Sequence, residues 1–175
     1  MKRKVFLYNT ICAAHDGSRM EIPMKLSTKG RYGLRAMVDL ADHCEKAPVS
    51  ISAISARQGL SVTYLEQLLA KLRKAGLVQS IRGAQGGYVL AKEAGAISVG
   101  DILRALEGDL APVNCSELTG DEGGCSGSQF CVTKFVWQRI NDSIEDAVNN
   151  MWLSELVEDS RKIENDRPFV RECDN

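Results

Sequence analysis

The stretch SVTYLEQLLAKLRKAGLVQSIRGAQGGY, residues 61–88, decides the fold of this chain. Its first half repeats leucine at helical spacing between Ser61, a favourable N-cap, and Gly76, a residue that ends helices. One side of this helix carries Leu65, Leu68, Leu69 and Leu72, and the other carries Ser61, Thr63, Tyr64, Glu66, Gln67 and Lys71. The polar groups can bond phosphates or base edges and cluster in the first two turns, the part of a recognition helix that enters the major groove.

Short elements of a recognisable kind flank this helix on both sides. Residues 52–59 form a capped helical pattern that ends in glycine, which predicts a helix, a glycine turn and a second helix. Residues 77–81 and 88–90 are strand-like, and the connection between them, RGAQGG, places Arg82 among glycines that permit close approach to a phosphate. Arg82 can also enter a minor groove. The combination predicts a winged helix-turn-helix with Arg82 and Gly83 in the wing.

The helix pattern alone is equally compatible with an ordinary amphipathic helix and hairpin in an α+β core. The glycine-ended helix before it and the basic wing after it favour DNA binding instead. We therefore expect the polar side of the helix to contact DNA.

Charge divides the chain into two unlike halves, although the formal net charge is only −1. Residues 24–92 contain 11 Lys and Arg against 4 Asp and Glu, whereas residues 93–175 contain 7 against 17. This division fits a polyanion-binding module joined to a sensing or dimerising part. No apolar run reaches the roughly 18 to 20 residues of a membrane span. With only His15 and His43 as histidine bases and no nucleophile motif, the sequence does not predict an enzyme.

The start of the chain resembles a weak secretion signal, with a basic tip and a short apolar run. Asn9 and Thr10 interrupt that run, and a DNA-binding protein has no use outside the cytoplasm, so we expect a cytoplasmic protein that functionally begins at Met24. The expected divisions are an extension at 1–23, a DNA-binding domain at 24–92, a connecting helix and cysteine segment at 93–130, a dimerisation helix and C-terminal helix at 131–163, and a flexible tail at 164–175.

Further helices are predicted outside the helix-turn-helix, at 28–44, after Ser98 and around 154–163. From Val132 to Met151, apolar residues recur at spacings of three and four, which is typical of a coiled-coil seam. The seam contains Trp137, Ile140, Ile144, Ala147 and Met151, while Val132, Val136 and Val148 lie on a second side. A plain core helix is the alternative, because the run is shorter than three or four heptads. The predicted fold class is mainly α with a small β-wing and a long dimerisation helix.

Three of the six cysteines, Cys115, Cys125 and Cys131, lie in or beside a glycine-rich segment without apolar periodicity. A flexible backbone of this kind can fold around a soft metal centre, and thiolates select iron–sulfur clusters, zinc or copper(I). The absence of a CxxC pair disfavours a zinc knuckle, and three incidental loop thiols remain the alternative. The other cysteines, Cys12, Cys44 and Cys173, have no neighbours of ligand type.

The motif YLEQLL.KLR..GLV.S.RG..GGY.L, with the preceding MKLSTKGRYGLRAMVDLA, the following ISVGDILRALEG and the three-cysteine segment, resembles the IscR/NsrR/RirA/CymR family of winged-helix regulators. The resemblance covers Met24 to about Ser160 and is strongest to the IscR-type members. It implies a homodimeric, DNA-binding transcription factor that carries an iron–sulfur cluster in a cysteine loop just before the dimerisation helix. CymR-like members lack that loop, so the three cysteines favour the cluster-binding branch.

The resemblance also implies roles for individual residues. DNA contacts are expected from Ser61, Thr63, Tyr64, Glu66, Gln67, Lys71, Arg82 and Gly83, cluster ligands from Cys115, Cys125 and Cys131, and dimer contacts from Trp137, Ile140, Ile144 and Met151. The expected partner is double-stranded DNA with an imperfect palindromic operator, and the expected cofactor is a cluster, 2Fe–2S in preference to 4Fe–4S. The implied function is repression of genes for iron–sulfur cluster assembly or related redox, iron or cysteine metabolism.

One position departs from the IscR pattern. IscR carries a histidine ligand three residues after the third cysteine, where this chain has Lys134. The fourth ligand is therefore expected not to be a histidine, and Glu117, Asp121, Glu122, a helix-start carboxylate or a ligand from the partner chain remain open. The alternative function is a cluster-free regulator that responds to thiol oxidation or to a metal.

Overall fold

The computed structural model describes residues 27–44, 47–83, 85–113 and 131–165. These ranges contain α1 (Thr28–His43), α2 (Ile51–Gln58), α3 (Val62–Lys74), β1 (Val78–Ile81), β2 (Gly87–Leu90), α4 (Val99–Glu107), α5 (Lys134–Asn149) and α6 (Leu153–Asn165). A single 3₁₀ turn, Ala94–Ala96, precedes α4. The mainly α fold with a small β-hairpin is confirmed. The extension at 1–23, Cys115 and Cys125 lie outside the described residues, and no helix within the described ranges is long and apolar enough to span a membrane.

Local side-chain chemistry sets the ends of the two helices in the helix-turn-helix. The hydroxyl of Ser50 accepts from the backbone N–H of Ala53 at the start of α2, and that of Ser61 accepts from Tyr64 at the start of α3. Each hydroxyl satisfies a backbone donor that the first helical turn leaves unpaired. Gly59 closes α2 in the left-handed conformation with φ 64°, a backbone that glycine adopts without strain.

The wing is an antiparallel hairpin whose register runs from Val78 opposite Leu90 to Ile81 opposite Gly87. Val49 adds a single bridge to Tyr88, with backbone N–O distances of 2.9 and 2.8 Å. Val49 forms only this single bridge and no strand, because Ile51 already begins α2. The bridge joins the segment before the helix-turn-helix to the wing.

The hydrophobic core lies between α1, α3 and α4 and is closed by α6. All four leucines predicted to face inward on α3 are 0–2% exposed. They pack with Met37, Leu40, Ile54, Ile102 and Leu153, all of which are fully buried. Burying each such side chain contributes about 1.5 to 3 kcal/mol of transfer free energy, so this contact largely holds α3 in place.

The chain just before the C-terminal helix α6 pairs with the segment that leads into α4. Backbone bonds run from Val99 N to Met151 O and from Leu153 N to Ile97 O, each at 2.9 Å, on either side of a bridge between Ser98 and Trp152. Ser98 also forms a capping box with Asp101 at the start of α4. Burial alone would raise the pKa of Asp101, but the hydrogen bonds from Ser98 and the charge of Arg104 outweigh it and lower that pKa.

Two glycines on α1 let α4 approach closely. A methyl group at Gly33 would overlap Leu106 Cδ1, and one at Gly30 would lie 2.7 Å from Glu107 Oε1. Leu106 is 1% exposed, so it has little room to move aside. The α1–α4 contact therefore requires small residues on α1.

We expect Gly33→Ala to lower the free energy of unfolding by about 1 to 3 kcal/mol through overpacking, which exceeds the gain of about 0.5 to 1 kcal/mol in helix propensity. Urea denaturation measures the change. Gly95→Ala is the matched control, because a methyl group there meets nothing closer than Ser154 Oγ at 3.7 Å. Equal stability of Gly33→Ala and the parent would contradict this packing.

Candidate nucleic-acid interface

The outward face of α3 presents a compact set of polar side chains to solvent. Ser61, Thr63, Glu66 and Gln67 are all exposed, and Thr63 and Gln67 lie opposite the buried leucines. They occupy the N-cap and the first two turns, as the sequence predicts. A hydroxyl can contact phosphates, and an amide or a carboxylate can reach base edges, so this face has the groups that DNA recognition uses.

The structure places Tyr64 and Lys71 on a flank of α3 rather than on its outward face. The Tyr64 ring packs edge-on against Tyr32 of α1, with centroids 6.1 Å apart and an interplanar angle of 87°. Its hydroxyl is buried and has no hydrogen-bond partner among the described residues. The ammonium of Lys71 donates to the backbone oxygen of Leu106 at the end of α4, at 2.8 Å. Two residues of the predicted DNA-binding set thus contact protein in this conformation.

The wing carries Arg82 and Gly83 at an exposed position beyond β1. Arg73, near the end of α3, donates to Ser80 Oγ at 3.3 Å and so links the recognition helix to the hairpin. The reasoning from sequence did not single out Arg73. The sequence offered one indication of this contact, because Arg73 lies on the polar side of the predicted helix and seven residues before Ser80 in the predicted strand.

A buried carboxylate joins α1 to the helix-turn-helix. Asp39, 6% exposed, accepts from Arg57 Nε at 2.8 Å, from Arg57 Nη2 at 2.7 Å and from Gln58 Nε2 at 3.0 Å. The hydrogen bond with Asp39 raises the pKa of Arg57. Arg35 donates to the side chain and the backbone oxygen of Gln58 at 3.1 and 3.2 Å. This network fixes the end of α2 just before the turn into α3. In the sequence, its only indication was an aspartate beside the apolar stripe of α1.

Helix α5 has 16 residues, none of which is buried. One side forms an open apolar groove lined by Phe135, Val136, Arg139, Ile140, Ser143, Ile144 and Ala147. Trp137 and Met151 of the predicted seam are exposed but do not line the groove. Val136, assigned from sequence to the second side, lines the groove instead, because it is four residues before Ile140 and therefore one helical turn away on the same face.

Helix α5 is held to the DNA-binding domain by polar contacts with α4. Arg104 donates to Glu145 Oε2 at 2.8 Å and to Asn149 Oδ1 at 2.6 Å. These contacts occupy the side of α5 away from the groove, so its apolar side faces solvent.

Of the three predicted cluster ligands, Cys131 lies within the described residues, just before α5. Its Sγ lies 3.0 Å from the Thr133 hydroxyl, and that hydrogen bond, with the backbone N–H groups of Thr133 and Lys134, lowers the pKa of the thiol. A lowered pKa favours the thiolate, the form that binds metals. Within the described ranges no three potential ligands come together. The candidate fourth ligands Glu117, Asp121 and Glu122 lie outside those ranges, as do Cys115 and Cys125.

Comparison with known proteins matches this architecture to one family. Residues 26–159 match Rrf2, described as an iron-dependent transcriptional regulator. The HTH-type transcriptional regulator IscR of Vibrio vulnificus strain YJ016 is 45% identical over 141 residues, covering 81% of this chain and 82% of that protein.

Solved structures of related regulators share the fold. IscR of T. potens superposes with a TM-score of 0.66 and 46% identity, covering 85% of this chain and 96% of that chain. CymR, the global cysteine regulator of B. subtilis, superposes with a TM-score of 0.63 and 43% identity, covering 77% of this chain and 96% of that chain. The matching family and the relative from Vibrio vulnificus are both named as transcriptional regulators rather than enzymes. The chain belongs to the Rrf2 family of iron-dependent transcriptional regulators, as a DNA-binding helix-turn-helix protein of the IscR type.

Proposed function

We propose that the protein is a cytoplasmic, homodimeric repressor that senses through an iron–sulfur cluster and controls genes of cluster assembly or of related redox, iron or cysteine metabolism. The observation that carries the proposal is the exposed polar face of α3 beside the wing, in a chain that also exposes an apolar face on α5. The polar face of α3 can bind an operator, and the apolar face of α5 can bind a second copy of the chain.

The DNA-binding step uses the outward face of α3 in a major groove and the wing in the adjacent minor groove. Thr63 and Gln67 provide neutral polar contacts, while Glu66 can accept from cytosine N4. The carboxylate of Glu66 also repels phosphates, so it disfavours wrong sites as well as recognising right ones. Arg82 adds a basic group at the wing, and Gly83 beside it lets the backbone approach the phosphates.

A second copy of the chain is the occupant that we propose for the groove on α5. Phe135 and Val136 are 63% and 54% exposed, and exposed apolar patches of this kind mark interaction sites. Pairing the two grooves about a two-fold axis would bury them and set two DNA-binding domains side by side. Half-sites about 34 to 36 Å apart, or a multiple of that distance, then follow, which implies an imperfect palindrome.

The cluster would be held by Cys115, Cys125 and Cys131, and it would supply a redox-sensitive and iron-sensitive group. The lowered pKa of Cys131 fits this role, since metal ligands must be deprotonated. We propose an oxygen rather than a histidine as the fourth ligand, with 2Fe–2S preferred to 4Fe–4S. An oxygen ligand is harder than imidazole, so the cluster should exchange readily.

The lowered pKa of the Cys131 thiol also favours a second candidate, a cluster-free regulator that responds to thiol oxidation or to zinc. Anaerobic purification separates the two. A brown protein with iron and sulfide supports the cluster, whereas a colourless protein that contains zinc or no metal supports the second candidate.

We expect Glu66→Ala to relax sequence preference and Arg82→Ala to weaken specific sites by about 1 to 3 kcal/mol if the arginine bonds a base edge. Titration of operator and random DNA at fixed salt measures both effects. Glu158→Ala, an exposed change on α6, is the control and should bind like the parent. Parent-like binding by both test variants would remove α3 and the wing from the interface.

Replacing Ile140 and Ile144 together with glutamate should give monomers, because four charges at a two-fold seam cannot be desolvated. Sedimentation measures the oligomeric state, and specific operator binding should fall with it. Gln138→Glu, an exposed position not in the groove, is the control and should remain dimeric. A double variant that still sediments as a dimer would exclude this face.

Alanine at any one of Cys115, Cys125 or Cys131 should abolish or sharply reduce iron and sulfide content, because each removes a thiolate ligand. Cys44→Ala and Cys173→Ala are matched controls that should leave both contents intact. Metal and sulfide analysis after anaerobic purification gives the readout. Full cluster retention in Cys125→Ala would falsify the assigned ligand set.

A further inference from the structure

The last turn of α4 bonds to two different helices of the DNA-binding domain. Leu106 O accepts from Lys71 Nζ of α3 at 2.8 Å. The carboxylate of Glu107 accepts from Ser27 Oγ at 2.6 and 2.8 Å and from the backbone N–H of Gly30 at 2.7 Å, both at the start of α1. The end of α4 is thus a polar junction between the first helix and the recognition helix.

The carbonyl that accepts from Lys71 is a favourable partner for an ammonium group. The last carbonyls of a helix lack intrahelical partners, and a cation there is favoured by the helix dipole. Lys71 lies two helical turns after Tyr64 on the same flank of α3, and Tyr64 packs against Tyr32 of α1. The flank facing α1 and α4 is therefore fixed near both of its ends.

The other contacts of α4 make it a stiff connection. Gly33 lets α1 lie against Leu106, which is almost fully buried, so the end of α4 cannot shift without moving α1. Arg104, one turn earlier, bonds Glu145 and Asn149 of α5. The junction thus lies between the proposed dimerisation helix and the DNA-binding face. Residue 108 begins the connection that carries Cys115 and Cys125.

We propose that Lys71 is a positioning residue and not a DNA ligand: it holds α3 against the end of α4, so that the arrangement of α4 sets the orientation of the recognition helix. This rests on the proposed function, because the cluster state is the signal that would act on α4. Coupling of this kind needs an element that both sites bias. Helix α4 bonds the recognition helix through Leu106 and bonds α5, the helix that follows Cys131, through Arg104.

The salt dependence of operator binding separates the two roles of Lys71. Losing a phosphate contact lowers the slope of log affinity against log salt by about 0.9. We expect Lys71→Met in the full-length dimer to keep the parent slope and to shrink the affinity ratio between iron-loaded and iron-free forms at least about threefold, since coupling factors are typically about 5 to 150. Lys71→Arg, which can still donate to Leu106 O, should restore the ratio.

Lys74→Met is the matched control, because Lys74 is exposed on the same side of α3 as Thr63 and Gln67 and does not bond α4. It should leave the affinity ratio unchanged. A reduced slope for Lys71→Met, or an unchanged ratio, would overturn the proposal.

A measurement that does not depend on the cluster separates the positioning role of Lys71 from the proposed sensing function. If the parent binds operator equally with and without iron and sulfide, the sensing function fails whatever Lys71 does. Amide hydrogen exchange of the iron-free protein then tests the junction alone. Lys71→Met should speed exchange in the second half of α3 and the last turn of α4, whereas Lys74→Met should not. Parent-like exchange in Lys71→Met would exclude the positioning role.

Discussion

The close contact between α1 and α4 is the constraint on which the rest of the structure depends. Gly33 admits Leu106 into the core, and Glu107 then accepts from the backbone N–H of Gly30 in the first turn of α1. Because α4 is held there, its last carbonyls lie within reach of Lys71, and its outer side is free to bond α5 through Arg104. A few ångströms of added separation would weaken all these contacts together, since packed interiors transmit strain.

The same constraint explains which part of α3 is left for DNA. Its leucines face the core, one flank is occupied by contacts with α1 and α4, and Arg73 on the polar surface bonds the wing. What remains outward in the first two turns is the short run of hydroxyl, carboxylate and amide side chains, and Lys74 extends this side near the end of the helix. The ion pair between Asp39 and Arg57 ties α2 to α1, so the turn between α2 and α3 has little conformational freedom.

Local chemistry made much of this predictable from sequence. Serine caps, a glycine stop and leucines at helical spacing placed α2 and α3 within a residue or two, because those signals act within one or two turns. The flank on which Tyr64 and Lys71 lie was not predictable, because it depends on where α1 and α4 pack. The Asp39–Arg57 pair and the bridge between Ser98 and Trp152 were missed for the same reason: their partners are distant in sequence. The proposed DNA, dimer and cluster contacts remain predictions.

The pairing of residues 97–99 with 151–153 has a consequence for how the chain can vary. Because Leu153 completes the core that α1 begins, this pairing brings the start of α4 beside the start of α6 and closes a loop of chain that contains α4, the connection after it and α5. Loop-closure entropy grows slowly, by about 0.6 kcal/mol for each doubling of length. Residues can therefore be added to or removed from the connection between α4 and α5 at little cost to folding, which leaves the segment that carries Cys115 and Cys125 free to diverge while the helices around it stay the same.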